Sequence, residues 1–227
     1  EAVAADKRLL GRAKFKDAHT VIVTNQEGEQ TQVSAKRIVI ATGSRPTLLP
    51  EWQALGDRLI INDDVFSWET LPKSVAVFGT GVIGLELGQA LTRLGVKVKL
   101  FGRGNRIGGI SDPSVSAQAV SIFQQELDVH LDTKTSVRLN DAGQVEVSYE
   151  RQGEQGVFEA EYLLAAIGRT PNTDNLGLEH LPELKLDKRG VPIADRHTMQ
   201  TSIPHLFIAG DASNQMPLLH EASDQGV

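Results

Sequence analysis

The chain has 227 residues, 40% of them hydrophobic, with a formal net charge of -6 and a pI near 5.5. That is enough apolar material for the core of one large domain or two modest ones, and the absence of a dense Lys/Arg face excludes a nucleic-acid partner. No run approaches the roughly 18 apolar residues that cross a bilayer, and zero cysteines exclude disulfides and thiol chemistry by these residues, which fits a cytoplasmic protein.

From Lys14 to Thr42, β-prone runs at His19–Val23, Thr31–Val33 and Arg37–Ile40, broken by a polar turn at Asn25–Glu29, predict a small antiparallel meander. A Pro-containing stretch, Arg45–Gly56, leads toward Ser74–Phe78, a compact apolar strand of the kind buried on both faces, and a domain boundary is expected near residue 50. Val82, Ile83, Leu85, Leu91 and Leu94 are spaced for a largely buried helix, and Gly95 stops it before a second strand at Val96–Phe101. Asp112 before Pro113 is a helix start, with Val115, Ala119, Ile122, Phe123 and Leu127 as the apolar stripe. Further strands are predicted at Val129–Leu131, Gln144–Tyr149 and Val157–Leu164, the last two joined as a hairpin through Gly153–Gly156, and a final one at His205–Ile208. Strand, helix, strand, helix followed by strands gives an α/β fold with a parallel sheet and a β-meander.

The sharpest motif, Gly79-Thr80-Gly81-Val82-Ile83-Gly84, falls where an apolar strand ends and an apolar helix begins. In a dinucleotide-binding turn, Gly79 allows the tight bend, Gly81 lets a pyrophosphate approach the backbone, and Gly84 lets helix and strand lie close. The helix N-terminus then offers free N–H groups to the phosphates. The plain alternative is a βα turn whose glycines only solve packing. At the end of the second strand, where an acid usually holds the adenosine ribose of NAD, the chain has Gly102, then Arg103 and, three residues on, Arg106. Two cations and no carboxylate suit the extra phosphate of NADP, while solvated loop arginines would leave NAD, so the choice stays open between NAD and NADP.

Three more segments join this motif in a pattern that resembles the pyridine nucleotide-disulfide oxidoreductases, the family that includes dihydrolipoamide dehydrogenase. Arg37-Ile38-Val39-Ile40-Ala41-Thr42-Gly43-Ser44-Arg45-Pro46 is similar to the strand and turn closing the first part of the FAD domain. Ala166-Ile167-Gly168-Arg169-Thr170-Pro171-Asn172 is similar to the segment returning from the NAD(P) domain, and His205-Leu206-Phe207-Ile208-Ala209-Gly210-Asp211-Ala212 to the second FAD fingerprint. The resemblance implies a Rossmann-like NAD(P)-binding domain at 51–168, inserted in a partial FAD-binding domain formed by 1–50 and 169–227. It places Thr42, Gly43, Ser44, Arg169, Gly210, Asp211, Pro217, Leu218, Leu219 and His220 toward FAD. Gly79, Thr80, Gly81, Val82, Ile83, Gly84, Gly102, Arg103 and Gly168 go toward NAD(P), and Glu86 beside the nicotinamide. Gly84-Leu85-Glu86-Leu87-Gly88 resembles the helix of dihydrolipoamide dehydrogenase more than the alanine-bearing version common in glutathione reductase, while Gly102 and Arg103 pull the other way.

The family also uses an N-terminal glycine motif for FAD, a redox-active cysteine pair, and a C-terminal interface domain that supplies a histidine base and makes a homodimer. None of these is encoded here. Glu1 in place of an initiator methionine, and an end at Val227 within a predicted helix, lead to the expectation of an internal fragment, catalytically inactive by itself and weak in FAD retention. Family members without a cysteine pair, such as a transhydrogenase or NADH oxidase, and a non-catalytic nucleotide-binding module stay open. The six histidines show no metal-ligand spacing, so no metal is expected.

Overall fold

The structure, a computed structural model, describes residues 4–215 and 219–225, apart from the side chain of Leu219. It is mixed α/β, and the chain divides into two units, Pro46–Arg169 and the flanking segments up to Arg45 and from Thr170 onward.

In Pro46–Arg169, five parallel strands run in the spatial order Leu59–Ile60, Tyr162–Ala165, Ser74–Phe78, Lys97–Phe101, Asp128–His130. Side chains of the central strand Ser74–Phe78 alternate between two faces. Val75 and Val77 meet Val98, Leu100, Val129 and the helical Leu85 and Leu91 in one core. Ala76 and Phe78 meet Phe101, Leu163, Trp52 and Leu55 in another, which Val145, Val147 and Phe158 of an antiparallel sheet close. With both faces covered, the strand has no interior place for a polar residue, which is why it reads as one apolar run.

The antiparallel sheet consists of Lys134–Leu139, Val145–Arg151 and Glu154–Ala160. The single strand predicted at Val157–Leu164 is therefore two. The chain changes sheet at Glu161, whose N–H donates to the Ser74 carbonyl, and continues as the parallel strand Tyr162–Ala165. Lys134–Leu139 and Leu59–Ile60 were not predicted. The first has one weakly apolar face, and the second is only two residues long.

Helices Val82–Arg93 and Pro113–Glu126 pack residues against the first core. The second starts at the predicted cap, where the Asp112 carboxylate accepts from the Ser114 and Val115 N–H groups. Val82, Leu94, Val115 and Ile122, placed on apolar stripes by their spacing, are exposed. Each helix buries only the narrow face toward the sheet, which Gly84, Leu85, Gly88 and Leu91 supply in the first, and Ala119, Val120 and Phe123 in the second.

In the other unit the meander is Arg12–Asp17, Thr20–Thr24 and Gln30–Ser34. Arg37–Ile40 does not belong to it. Ile38–Ile40 pairs in parallel with Leu206–Ile208, so that Ile40 and Ile208 stand side by side and are buried with Phe15, Leu178 and Ile203. A short β-prone run carries the same pattern whichever strand it meets, and here its partner lies far along the chain.

Candidate functional site

The glycine turn sits at the carboxyl end of Ser74–Phe78, in the centre of the parallel sheet. Gly79 has φ 117°, and its N–H donates to the Phe101 carbonyl at 2.9 Å. A Cβ on Gly79 would strike the Ala166 carbonyl oxygen, and one on Gly84 would strike the Gly79 carbonyl oxygen. Packing alone therefore explains these two glycines. Gly81 differs. Its φ of −75° is open to any residue, and a Cβ there would meet nothing within 4 Å. Gly81 is also the N-cap of Val82–Arg93, and no side chain caps that helix, so its first-turn N–H groups are left for a partner other than a capping side chain. Ile83 is half-buried, while Val82 and Glu86, one helical turn apart, share an exposed face.

At the end of the neighbouring strand, Gly102 is buried and the next turn curls over Thr80. Thr80 donates its hydroxyl to the Arg106 carbonyl at 3.0 Å, and its backbone carbonyl accepts the Gly108 N–H at 2.7 Å. Between these, Ile107 is 1% exposed in the first core and pins the turn. Arg103 and Arg106 are exposed on this turn, and neither guanidinium has an ion pair among the described residues. The grip of Thr80 on the turn was not read from the motif. Its signal was a β-branched residue between two glycines in a chain that lacks the usual acid.

Behind Gly102 lies a polar cluster that the sequence did not disclose. Lys99 Nζ stands 2.7 Å from Asp128 Oδ2, 3.1 Å from His130 Nε2 and 3.3 Å from the Tyr149 hydroxyl. Burial acts to lower the Lys99 pKa, but its hydrogen bonds to Asp128 and Tyr149 outweigh this and leave it above the ordinary lysine value. Burial, then the charge of Lys99, hold His130 below the ordinary histidine value despite Asp128 at 2.7 Å. Burial acts to raise Asp128, and the Lys99 hydrogen bond with the charges of His130 and Lys99 reverse this, leaving it low. His130 Nδ1 is buried without a hydrogen-bond partner among the described residues.

In the other unit, the carboxyl ends of Ile38–Ile40 and Leu206–Ile208 bring two predicted motifs together. Ser44 donates its hydroxyl to Asp211 Oδ2 at 2.8 Å. Gly43 and Gly210 both have positive φ, 66° and 63°. The Gly43 carbonyl accepts from the Asn172 N–H and the Thr42 carbonyl from the Asn172 side-chain amide, so Thr42, Gly43 and Ser44 are held in one turn. Arg45 adds a two-pronged ion pair to Asp174. A Cβ on Gly43 would meet nothing within 4 Å, so the turn is open at Gly43 itself. His220 is exposed on a six-residue helix, while Pro217, Leu218 and the side chain of Leu219 lie outside the described residues.

Gly168 and Arg169 follow the parallel strand Tyr162–Ala165 in the first unit. Gly168 has φ 119°, is exposed, and accepts the Thr47 N–H, while Arg169 is half-buried. Among the described residues no group of three or more His, Cys, Asp or Glu side chains is placed to hold a metal ion. No helix among them is long and apolar enough to cross a membrane.

Known proteins supply an independent comparison. Residues 5–226 match the family model described as pyridine nucleotide-disulphide oxidoreductase. The chain is 36% identical to the mitochondrial dihydrolipoyl dehydrogenase of Dictyostelium discoideum, covering 96% of this chain and 45% of that protein. It is 35% identical to the dihydrolipoyl dehydrogenase of Geobacillus stearothermophilus, covering 96% and 46%. Among solved structures it resembles LpdA from Mycobacterium tuberculosis with a TM-score of 0.81 at 27% identity, over 95% of this chain and 48% of that one. The flavoprotein disulfide reductase RclA from Escherichia coli matches with a TM-score of 0.81 over the same shares, and at 21% identity that likeness concerns the fold alone. The chain thus spans about half the length of the relatives it matches, and with a family model covering nearly all of it, it belongs to the pyridine nucleotide-disulphide oxidoreductase family.

Proposed function

We propose that this chain is the nucleotide-binding core of a flavoprotein oxidoreductase of the dihydrolipoyl dehydrogenase type. Such a protein moves hydride between NAD(P)H and FAD, and electrons to or from a dithiol or disulfide such as dihydrolipoamide. In this reading residues 51–168 bind NAD(P), and 1–50 with 169–227 are parts of an FAD domain. The observation that carries it is Gly81. Its neighbours in the motif are glycines because the fold leaves them no room, whereas Gly81 has ordinary backbone angles and open space, so the missing side chain serves a group outside the protein.

The residues fit that group in specific ways. A pyrophosphate laid against Gly81 meets the uncapped N-terminus of Val82–Arg93, where the helix dipole favours negative charge. Val82 and Glu86 border the same exposed face, and Glu86 is the proposed nicotinamide-side carboxylate. In the FAD reading, Asp211 keeps a carboxylate oriented by Ser44 at the ends of two parallel strands, where hydroxyls of a bound ligand find an acceptor. Arg169, Gly210, His220 and the Pro217–Leu219 stretch complete the assignment toward FAD. When bound, the flavin and nicotinamide supply the two-electron chemistry, and the protein's part is to position them.

With no cysteine in its 227 residues, the chain offers no thiolate for a disulfide step, so the 227 residues alone are proposed to bind nucleotide without turnover. That same observation supports a second reading, a relative that works without a cysteine pair, such as a transhydrogenase or NADH oxidase. A homodimer in the cytoplasm is proposed for the whole protein. The test is calorimetric titration of the 227-residue chain with NADH and NADPH, repeated on Gly81→Ala. Binding of one or both that falls about tenfold or more in the variant supports the site. Binding of neither overturns it.

A further inference from the structure

The turn after the second strand contains an interlock that bears on which nucleotide the site accepts. Gly102 lies outside the left-handed region, so its backbone admits a side chain. The surroundings do not. A Cβ at Gly102 would stand 2.6 Å from Thr80 Cγ2, 3.1 Å from Thr80 Oγ1 and 3.3 Å from Leu131 Cδ2. Thr80 cannot simply rotate aside, because its hydroxyl is engaged with the Arg106 carbonyl at 3.0 Å and a β-branched side chain has few rotamers to choose from.

The same residue fastens the turn that carries the arginines. Its hydroxyl grips the distal end at the Arg106 carbonyl, next to the bond that its backbone carbonyl accepts from the Gly108 N–H. The proximal end is tied by the Thr133 N–H to the Gly102 carbonyl at 3.2 Å and the Asp132 N–H to the Gly104 carbonyl at 3.0 Å, with Ile107 sunk in the core between. An acidic side chain at the strand end and the present seat of Thr80 therefore exclude each other.

Resting on the nucleotide site proposed above, we infer that Thr80 is the positioning residue for cofactor choice. It fills the volume in which a ribose-holding carboxylate at position 102 would begin, and it holds the Arg103–Arg106 turn in place for a 2′-phosphate. The ligand class is a dinucleotide phosphorylated on the adenosine ribose. A phosphate met by an arginine is a charge-assisted hydrogen bond, so a preference for NADPH over NADH of about tenfold or more is expected.

The experiment titrates NADPH and NADH into the wild-type chain and into Thr80→Val, which keeps the shape but cannot bond Arg106, with thermal melts confirming that the variant folds. The expected result is an NADPH preference that shrinks several-fold in Thr80→Val through weaker NADPH binding. Gly102→Ala alone is expected to lower the melting temperature, and Thr80→Gly in the same chain to restore it, an interaction readable without any nucleotide. If the wild type binds both nucleotides equally, or Thr80→Val keeps the full preference, Thr80 does not set the choice although the site stands. If Thr80→Gly brings no rescue, the interlock itself is wrong. If the wild type binds neither nucleotide, the site and this inference fall together.

Discussion

Ser44 and Asp211 lie 2.8 Å apart, hydroxyl to carboxylate, although 167 positions separate them in the chain. Each lies a few residues beyond a strand of the parallel pair Ile38–Ile40 and Leu206–Ile208, so this hydrogen bond links the two motif turns that the sequence presents separately. Removing the donor takes away a hydrogen bond to a part-buried, charged acceptor. Ser44→Ala is expected to cost about 1 to 2 kcal/mol, and Ser44→Thr much less, because it retains a hydroxyl. Urea unfolding of the three proteins checks this, and an unchanged midpoint in Ser44→Ala would show that the bond contributes nothing.

The glycines of the nucleotide turn separate into two kinds. Gly79→Ala forces a Cβ onto the Ala166 carbonyl at a φ of 117°, for an expected loss of about 2 to 4 kcal/mol. Gly81→Ala meets open space at an ordinary φ and is expected to cost less than about 1 kcal/mol. Thermal melts of both, beside NAD(P)H titration of the second, should find an unfolded or weakened Gly79→Ala and a stable but poorly binding Gly81→Ala. A Gly81→Ala variant as damaged as Gly79→Ala would mean that this glycine, too, is there for packing.

Acid should loosen the unit Pro46–Arg169 through His130. Burial and then Lys99 hold its folded pKa below the unfolded value, so the unfolded chain takes up more protons as the pH drops below about 6.5. This contribution to stability is complete above that pH and is lost as the pH falls toward the folded pKa. Asp128, also held low, adds a second loss below about 3.9. Melting temperatures between pH 8 and pH 5 are expected to fall less steeply in His130→Gln than in the wild type. Parallel slopes would remove His130 from the account.

The order of strand, glycine turn, helix and strand from Ser74 to Phe101, and the cap at Asp112, were legible in the sequence because each signal is local. Alternation, a glycine at the turn and a capping carboxylate act on neighbours within a few residues. The same locality let four short motifs carry a family resemblance. What tertiary structure alone decided is non-local. Arg37–Ile40 has the composition of a meander strand, but only the fold pairs it with Leu206–Ile208, and only sheet packing breaks Val157–Leu164 at Glu161. Likewise Val82 and Val115 are apolar by pattern and exposed in fact, since a helix on one face of a sheet buries a single stripe. Gly102 reads in sequence as a missing acid; its reason is the Thr80 methyl group 2.6 Å from where a side chain would begin, a distance set by two chain segments whose approach no local pattern encodes.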